Sequence, residues 1–251
     1  MVVCMGGVCL FLDGEWRLPW YPPVWWLFKP IYYGQFSIKP LVKDINILNQ
    51  DCMKLMRTCD DDTFDLAVVD PPYGILARTF RGRSNRNIYS AYDKWDVKPK
   101  PDYWSELFRV SKNQIVWGGN YFEGLWGRNE YNTCFLVWDK RLSEKLSNFS
   151  MAELAWTSLD GPAKIFHYTI RNNKPKFHPT QKPVELYAWI YQLFTHPGDH
   201  ILDTHLGSGT SAIAARTYGL KFTGCENNKK YYEGALKRLN KSQGQQKLIP
   251  L

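Results

Sequence analysis

The chain has 251 residues, 44% of them hydrophobic, which is enough for one sizeable α/β core with room for a small insertion. No run approaches the roughly 20 apolar residues of a membrane span, and Asp13, Glu15 and Arg17 interrupt the apolar start, so neither a spanning helix nor a secretion signal is expected. The net charge of +8 favours an anionic partner, nucleic acid first, and the six scattered cysteines form no Cys-x-x-Cys pair and no zinc spacing, so no structural metal is expected.

Residues 1–36 stand apart. Trp16, Trp20, Trp25 and Trp26 crowd together with Pro19, Pro22, Pro23 and Pro30. Prolines break regular elements, so this stretch reads as an irregular extension with an aromatic surface. Residues 37–245 read as one α/β domain. Ile45–Leu48 is a short buried strand, and Asp65–Val69 is a second that ends at Asp70-Pro71-Pro72. Residues 74–101 are polar, rich in Arg, Asn and Tyr, and read as a long loop. Asp102–Val110 has helical spacing; Ile115–Trp117 and Phe135–Trp138 read as strands. Residues 139–180 mix basic and aromatic side chains with little clear period. Pro183 suits the first turn of a helix running to about Phe194. His200–Leu202 is a strand, Thr210–Tyr218 a helix stopped by Gly219, Lys221–Cys225 a strand and Lys230–Leu239 a helix. Strands alternating with helices predict a mostly parallel sheet with helices on both faces.

Three blocks carry chemistry. The first is Asp203-Thr204-His205-Leu206-Gly207-Ser208-Gly209-Thr210, between a strand and a helix. Its glycines allow close backbone approach to a ligand at a helix N-terminus. The following strand ends at Glu226, placed to accept hydrogen bonds from ribose hydroxyls. Together these predict a nucleoside-cofactor site. The second block is Asp70-Pro71-Pro72-Tyr73, directly after a strand. A carboxylate and a proline-stiffened carbonyl can both accept from an amino group, and Tyr73 offers a face for a base to stack on. The third is His178-Pro179-Thr180-Gln181-Lys182-Pro183, just ahead of the glycine loop.

In this order the blocks resemble those of the amino-group DNA methyltransferases that carry Asp-Pro-Pro-Tyr. Having that tetrapeptide ahead of the glycine loop resembles the circularly permuted beta class. The likeness covers about Ile45 to Leu239. It implies the S-adenosylmethionine-dependent methyltransferase (Rossmann-like) fold, with a mostly parallel seven-stranded sheet containing one antiparallel strand. It also implies methyl transfer from S-adenosylmethionine to the exocyclic N6 of adenine in duplex DNA, by base flipping. Asp ahead of Pro-Pro-Tyr goes with adenine; Ser is commoner for cytosine N4. By this resemblance Asp70, Pro71, Pro72 and Tyr73 hold the target amino group and base. Asp203, His205, Gly207, Gly209 and Thr210 line the methionine end of the cofactor, Glu226 its ribose, Asp51 its adenine side, and Thr180 and Lys182 the methionine moiety. Two positions depart from the pattern: Thr204-His205 stands where Pro-Phe is usual, and Gln50 where Gly is frequent. His205 reads as a packing substitute for the aromatic ring.

DNA contact is assigned to Arg78, Arg81, Arg83 and Arg86 in the loop after Tyr73, and to Lys140 and Arg141 at the start of the 139–178 segment, where the family's sequence-reading region often lies. That segment is short, which suits a short target or a homodimer. Duplex DNA is the implied partner, a cognate restriction enzyme a further one the family admits, and the cytoplasm of a bacterial or phage-infected cell the implied location. The sequence leaves open a cytosine-N4 enzyme, an RNA or protein methyltransferase, and an inactive DNA- or cofactor-binding subunit. A cytosine-C5 enzyme is excluded, because no Pro-Cys nucleophile is present.

Overall fold

The computed structural model describes residues 10–12, 15–17, 44–75, 96–125, 134–141, 150–169, 177–178 and 180–242. The chain divides into two units, Met1–Ile38 and Lys39–Leu251. In the first, β1 (Leu10–Leu12) and β2 (Glu15–Arg17) form an antiparallel pair with Phe11 opposite Trp16. The intervening sequence, Asp13-Gly14, is of the two-residue kind that hairpins favour. This departs from the expectation of an irregular stretch. The prolines that break regular structure begin only at Pro19, beyond the pair.

In the second unit the strands are β3 (Ile45–Leu48), β4 (Phe64–Val69), β5 (Ser111–Trp117), β6 (Phe135–Asp139), β7 (Ala152–Thr157), β8 (Lys164–His167), β9 (His200–Asp203) and β10 (Lys221–Cys225). The helices are α1 (Cys52–Met56), α2 (Pro101–Val110), α3 (Val184–Phe194), α4 (Thr210–Thr217) and α5 (Lys229–Ser242). The strands form one sheet in the order β3-β10-β9-β4-β5-β7-β6-β8. Only β7 runs antiparallel to its neighbours; all other pairings are parallel. Among the described residues the sheet therefore has eight strands, one more than the seven the resemblance implied. The extra one is β8, a four-residue edge strand beside β6 whose side chains alternate between half-buried and exposed.

β4 shows why the central strands read so clearly. Leu66 and Val68 enter one core layer with α3, α4 and α5, while Ala67 and Val69 enter the other with α1 and α2. Buried on both faces, the strand is a continuous apolar run rather than an alternating one. α2 buries Tyr103, Trp104, Leu107 and Val110, one helical face, and Pro101 opens its first turn. α1 is capped by Asp51, whose Oδ1 accepts from the Met53 and Lys54 amides at 2.9 and 3.3 Å.

Two connections set the position of the functional crevice. From β9 the chain passes to β10 on one side, whereas from β4 it passes to β5 on the other. β9 and β4 are neighbours in the sheet, so the carboxyl ends of this pair flank a topological switch point, where open α/β sheets bind ligands.

Candidate active site

Asp203 is the last residue of β9 and Asp70 the first beyond β4, so the switch point lies between two carboxylates. Asp203 is buried; its Oδ1 accepts from the His205 amide at 3.0 Å and its Oδ2 from the Ser211 hydroxyl at 2.5 Å. Burial raises its pKa to about 7 despite these donors, with Asp70 and Glu226 adding repulsion. Glu226 follows β10, the next strand over. Its Oε2 accepts from the Gly207 amide at 2.9 Å and its Oε1 from the Asn228 amide at 2.7 Å, which leaves each oxygen lone-pair capacity for a ligand hydroxyl. Burial raises its pKa as well.

Gly209 sits at φ +72°, and a Cβ there would meet Ala235 Cβ at 2.9 Å, so the glycine loop packs directly on α5. Thr210 braces the same loop from within: its Oγ1 donates to the Lys182 carbonyl at 3.2 Å and lies 2.8 Å from Ser208 Oγ. His205 is neutral at physiological pH, because burial lowers its pKa to about 4 against a weak pull from Asp51. Its ring meets Tyr103 edge to face at 5.5 Å, and its Nδ1 lies 2.9 Å from Thr204 Oγ1, which in turn is 2.6 Å from the Tyr103 hydroxyl. His205 thus has the packing position of an aromatic ring. Thr180 is exposed and pairs with His178 Nδ1 at 3.2 Å.

On the β4 side the Tyr73 hydroxyl donates to Asp70 Oδ1 at 2.6 Å. The Tyr73 ring stacks on Tyr121 at 5.0 Å and 21°. It also lies against Gly118, the αL residue just after β5; a Cβ there would stand 2.2 Å from Tyr73 Cε1. Asp70 Oδ2 accepts from Lys182 Nζ at 2.5 Å. The ammonium of Lys182, a residue expected near the cofactor, is 5% exposed and lies on the catalytic-candidate carboxylate, 5.5 Å from the Trp117 ring centroid. A second carboxylate, Glu153 of β7, is 3.1 Å from the same Nζ.

Lys140, expected on DNA, turns inward and pairs with Glu153 at 2.6 Å. Arg141 lies at the surface, in a 3.3 Å pair with Asp139. Arg78, Arg81, Arg83 and Arg86 lie outside the described residues. Sequence reasoning missed Gly118, Tyr121 and Glu153. The Gly118-Gly119 pair immediately after a strand was a usable signal of close approach, whereas Glu153 carried none.

The profile of the family N6_N4_Mtase, DNA methylase, matches residues 78–237. The chain belongs to this family. This DNA methylase is 26% identical over 258 residues to the type II methyltransferase M2.LlaDCHI of Lactococcus lactis subsp. cremoris, covering 84% of this chain and 95% of that protein. Its fold is similar to that of M1.HpyAVI, solved as a complex with SAM, with a TM-score of 0.52 at 20% identity, covering 77% of this chain and 99% of the other. It is also similar to the cytosine-N4-specific PvuII DNA methyltransferase, with a TM-score of 0.57 at 13% identity, covering 78% and 86%.

Proposed function

We propose that this DNA methylase transfers a methyl group from S-adenosylmethionine to the exocyclic N6 of a flipped-out adenine in duplex DNA, in a cytoplasmic setting. The observation that carries this reading is the placement of Asp70, Asp203 and Glu226 at the ends of the consecutive strands β4, β9 and β10, with Tyr73 bonded to Asp70. Asp rather than Ser ahead of Pro71-Pro72-Tyr73 favours adenine over cytosine N4.

The donor set fits the cofactor. Glu226 suits a ribose diol, and the Gly207–Gly209 turn at the start of α4 admits close backbone approach. Asp203 and His205 at the end of β9 and Asp51 beyond β3 border the same side of the sheet, and Thr180 pairs with His178, which lies against Gly207. S-adenosylmethionine, when bound there, supplies an electrophilic methyl group.

The chain's own residues prepare the amine. The lone pair of adenine N6 is delocalised into the ring, so the nitrogen is a weak nucleophile. Asp70 Oδ1 accepts one N–H and the Pro71 carbonyl the other, which favours a more tetrahedral nitrogen with its lone pair directed at the donor. Tyr73, now stacked on Tyr121, offers its face to the base. Positioning and preorganised electrostatics carry the rate enhancement. Extruding the base costs a few kcal/mol of unstacking, and the basic loop after Tyr73 and the exposed Arg141 are the proposed phosphate contacts.

The test is incubation of the protein with duplex DNA and labelled S-adenosylmethionine, followed by nucleoside mass spectrometry. N6-methyladenine is the expected product. N4-methylcytosine would move the assignment to the other amino base, and label in RNA or protein alone would overturn the DNA substrate.

A further inference from the structure

Leading into Asp70, the described residues hold one run of largely shielded charges whose outer members, Lys140 and Glu153, the proposed chemistry leaves without a role. It begins at Lys140 at the end of β6, passes to Glu153 on β7 at 2.6 Å and to Lys182 at 3.1 Å, and ends on Asp70 at 2.5 Å. The side chains of the two lysines are 13% and 5% exposed, so these contacts are poorly screened by water. Burial alone would push the Glu153 carboxyl up, but Lys182 and Lys140 outweigh it and hold it down to about 2. Burial would likewise lower the Lys182 ammonium, but Asp70 and Glu153 reverse that and raise it. Both groups are therefore charged at neutral pH.

Among the described residues each oxygen of Asp70 has one donor: Tyr73 on Oδ1 and Lys182 on Oδ2. The phenol is a neutral donor on a ring that must take up a base, so it can yield or share its place. The ammonium, buried and paired on both sides, cannot leave without stranding a charge. We propose that Glu153 is a positioning residue for methyl transfer: clamped by Lys140, it holds the Lys182 ammonium on Asp70 Oδ2 and so reserves Asp70 Oδ1 for the target amino group. This rests on the methyltransferase reading above. Glu153 touches neither base nor cofactor and acts only through Lys182. Its charge also draws part of the lysine's field away from Asp70, which preserves the carboxylate's strength as an acceptor.

The test is a double-mutant cycle on Glu153→Gln and Lys182→Gln, read by the single-turnover rate on duplex DNA, the S-adenosylmethionine dissociation constant from calorimetry, and thermal unfolding. Glu153→Gln is expected to lower the rate at least tenfold and change cofactor affinity less than twofold. In the Lys182→Gln background it is expected to lower the rate no further, and the unfolding data should show coupling between the two sites. Glu153→Asp, which restores the charge, should recover most of the rate. If Glu153→Gln alone fails to fold, the double variant is compared with Lys182→Gln and Glu153→Asp with wild type; a double variant slower than Lys182→Gln, or a Glu153→Asp protein far below the wild-type rate, would overturn the proposal. Additive losses of rate, a folded Glu153→Gln with the wild-type rate, or absence of coupling in unfolding would each overturn the proposal. Wild-type protein inactive on every DNA substrate would instead overturn the methyltransferase reading, and the unfolding cycle would then still decide whether the clamp exists.

Discussion

Gly118→Ala probes the site through steric contact alone, without altering any charge. The added Cβ would stand 2.2, 2.5 and 2.7 Å from three atoms of the Tyr73 ring, whereas ordinary contact begins at 3.4 Å. The ring must therefore shift by about 1.2 Å, taken as 3.4 minus 2.2. That movement opposes its stack on Tyr121 and its 2.6 Å bond to Asp70. Alanine at φ +68° adds roughly 1–2 kcal/mol of left-handed strain, and overpacking adds roughly 1–3 kcal/mol. A displacement on the order of 1 Å in a positioning group can lower a rate about 10²-fold. The expected result is thus a loss of single-turnover rate of roughly that size, with urea unfolding reporting a destabilisation of about 2–5 kcal/mol. Gly124→Ala is the control. Its Cβ would meet Trp104 at 3.8 Å, an ordinary contact, and its rate should stay within about twofold of wild type. A Gly118→Ala protein that is destabilised yet transfers methyl groups at the wild-type rate would refute the claim that the Tyr73 position matters to the chemistry.

Asp70→Ala should lower turnover by roughly 10²-fold or more while leaving S-adenosylmethionine affinity within a few fold; equal loss of both in calorimetry and rate assays would contradict its assignment to the target amine. Glu226→Gln should weaken cofactor binding by about tenfold, the loss of one charge-assisted hydrogen bond, and calorimetry with an unchanged dissociation constant would remove the ribose role. Asp203 has a folded pKa of about 7 against the ordinary 3.8, so its protonated form is favoured by folding and wild-type stability falls as pH rises between those values. At about 1.36 kcal/mol per unit over about 3 units, the stability of Asp203→Asn relative to wild type should grow by on the order of 4 kcal/mol from pH 4 to above pH 7; denaturant unfolding in which that gap stays constant with pH would show that the carboxyl is not buried as described.

The parts of the fold legible in the sequence share a cause. β4 and β9 are central and covered on both faces, and are therefore written around unbroken apolar runs, Leu66–Val69 and Ile201–Leu202, that end at an aspartate. β7 and β8 were lost within 139–178 because strands toward the edge carry charged side chains such as Glu153 and Lys164, which blur both the run and the alternation. α1 is five residues long, too short for a helical period, and its one local signal, Asp51, also suited a cofactor contact. The site divides in the same way. Asp70, Asp203 and Glu226 were readable because each closes a strand in a motif of fixed spacing. Lys182 was found, but its bond to Asp70 was not readable, because the two residues lie 112 positions apart. Glu153 could not be found at all, since a single acid among basic and aromatic residues acquires meaning only when β7 brings it to Lys182.

Lys140, Glu153, Lys182 and Asp70 alternate in sign and sum to zero, which is what permits four charges to lie so close to the protein interior. The arrangement is unforgiving: deleting an inner member leaves two like charges facing each other across a gap, whereas deleting Lys140 leaves Glu153 still paired with Lys182. Loss at Glu153 should therefore exceed loss at Lys140 in both stability and rate. Lys140 also adjoins Arg141, the exposed basic residue proposed to meet DNA. Lys140 is linked to Asp70 through three contacts of 3.1 Å or less, so a displacement at the β6 end is expected to lower the methyl-transfer rate.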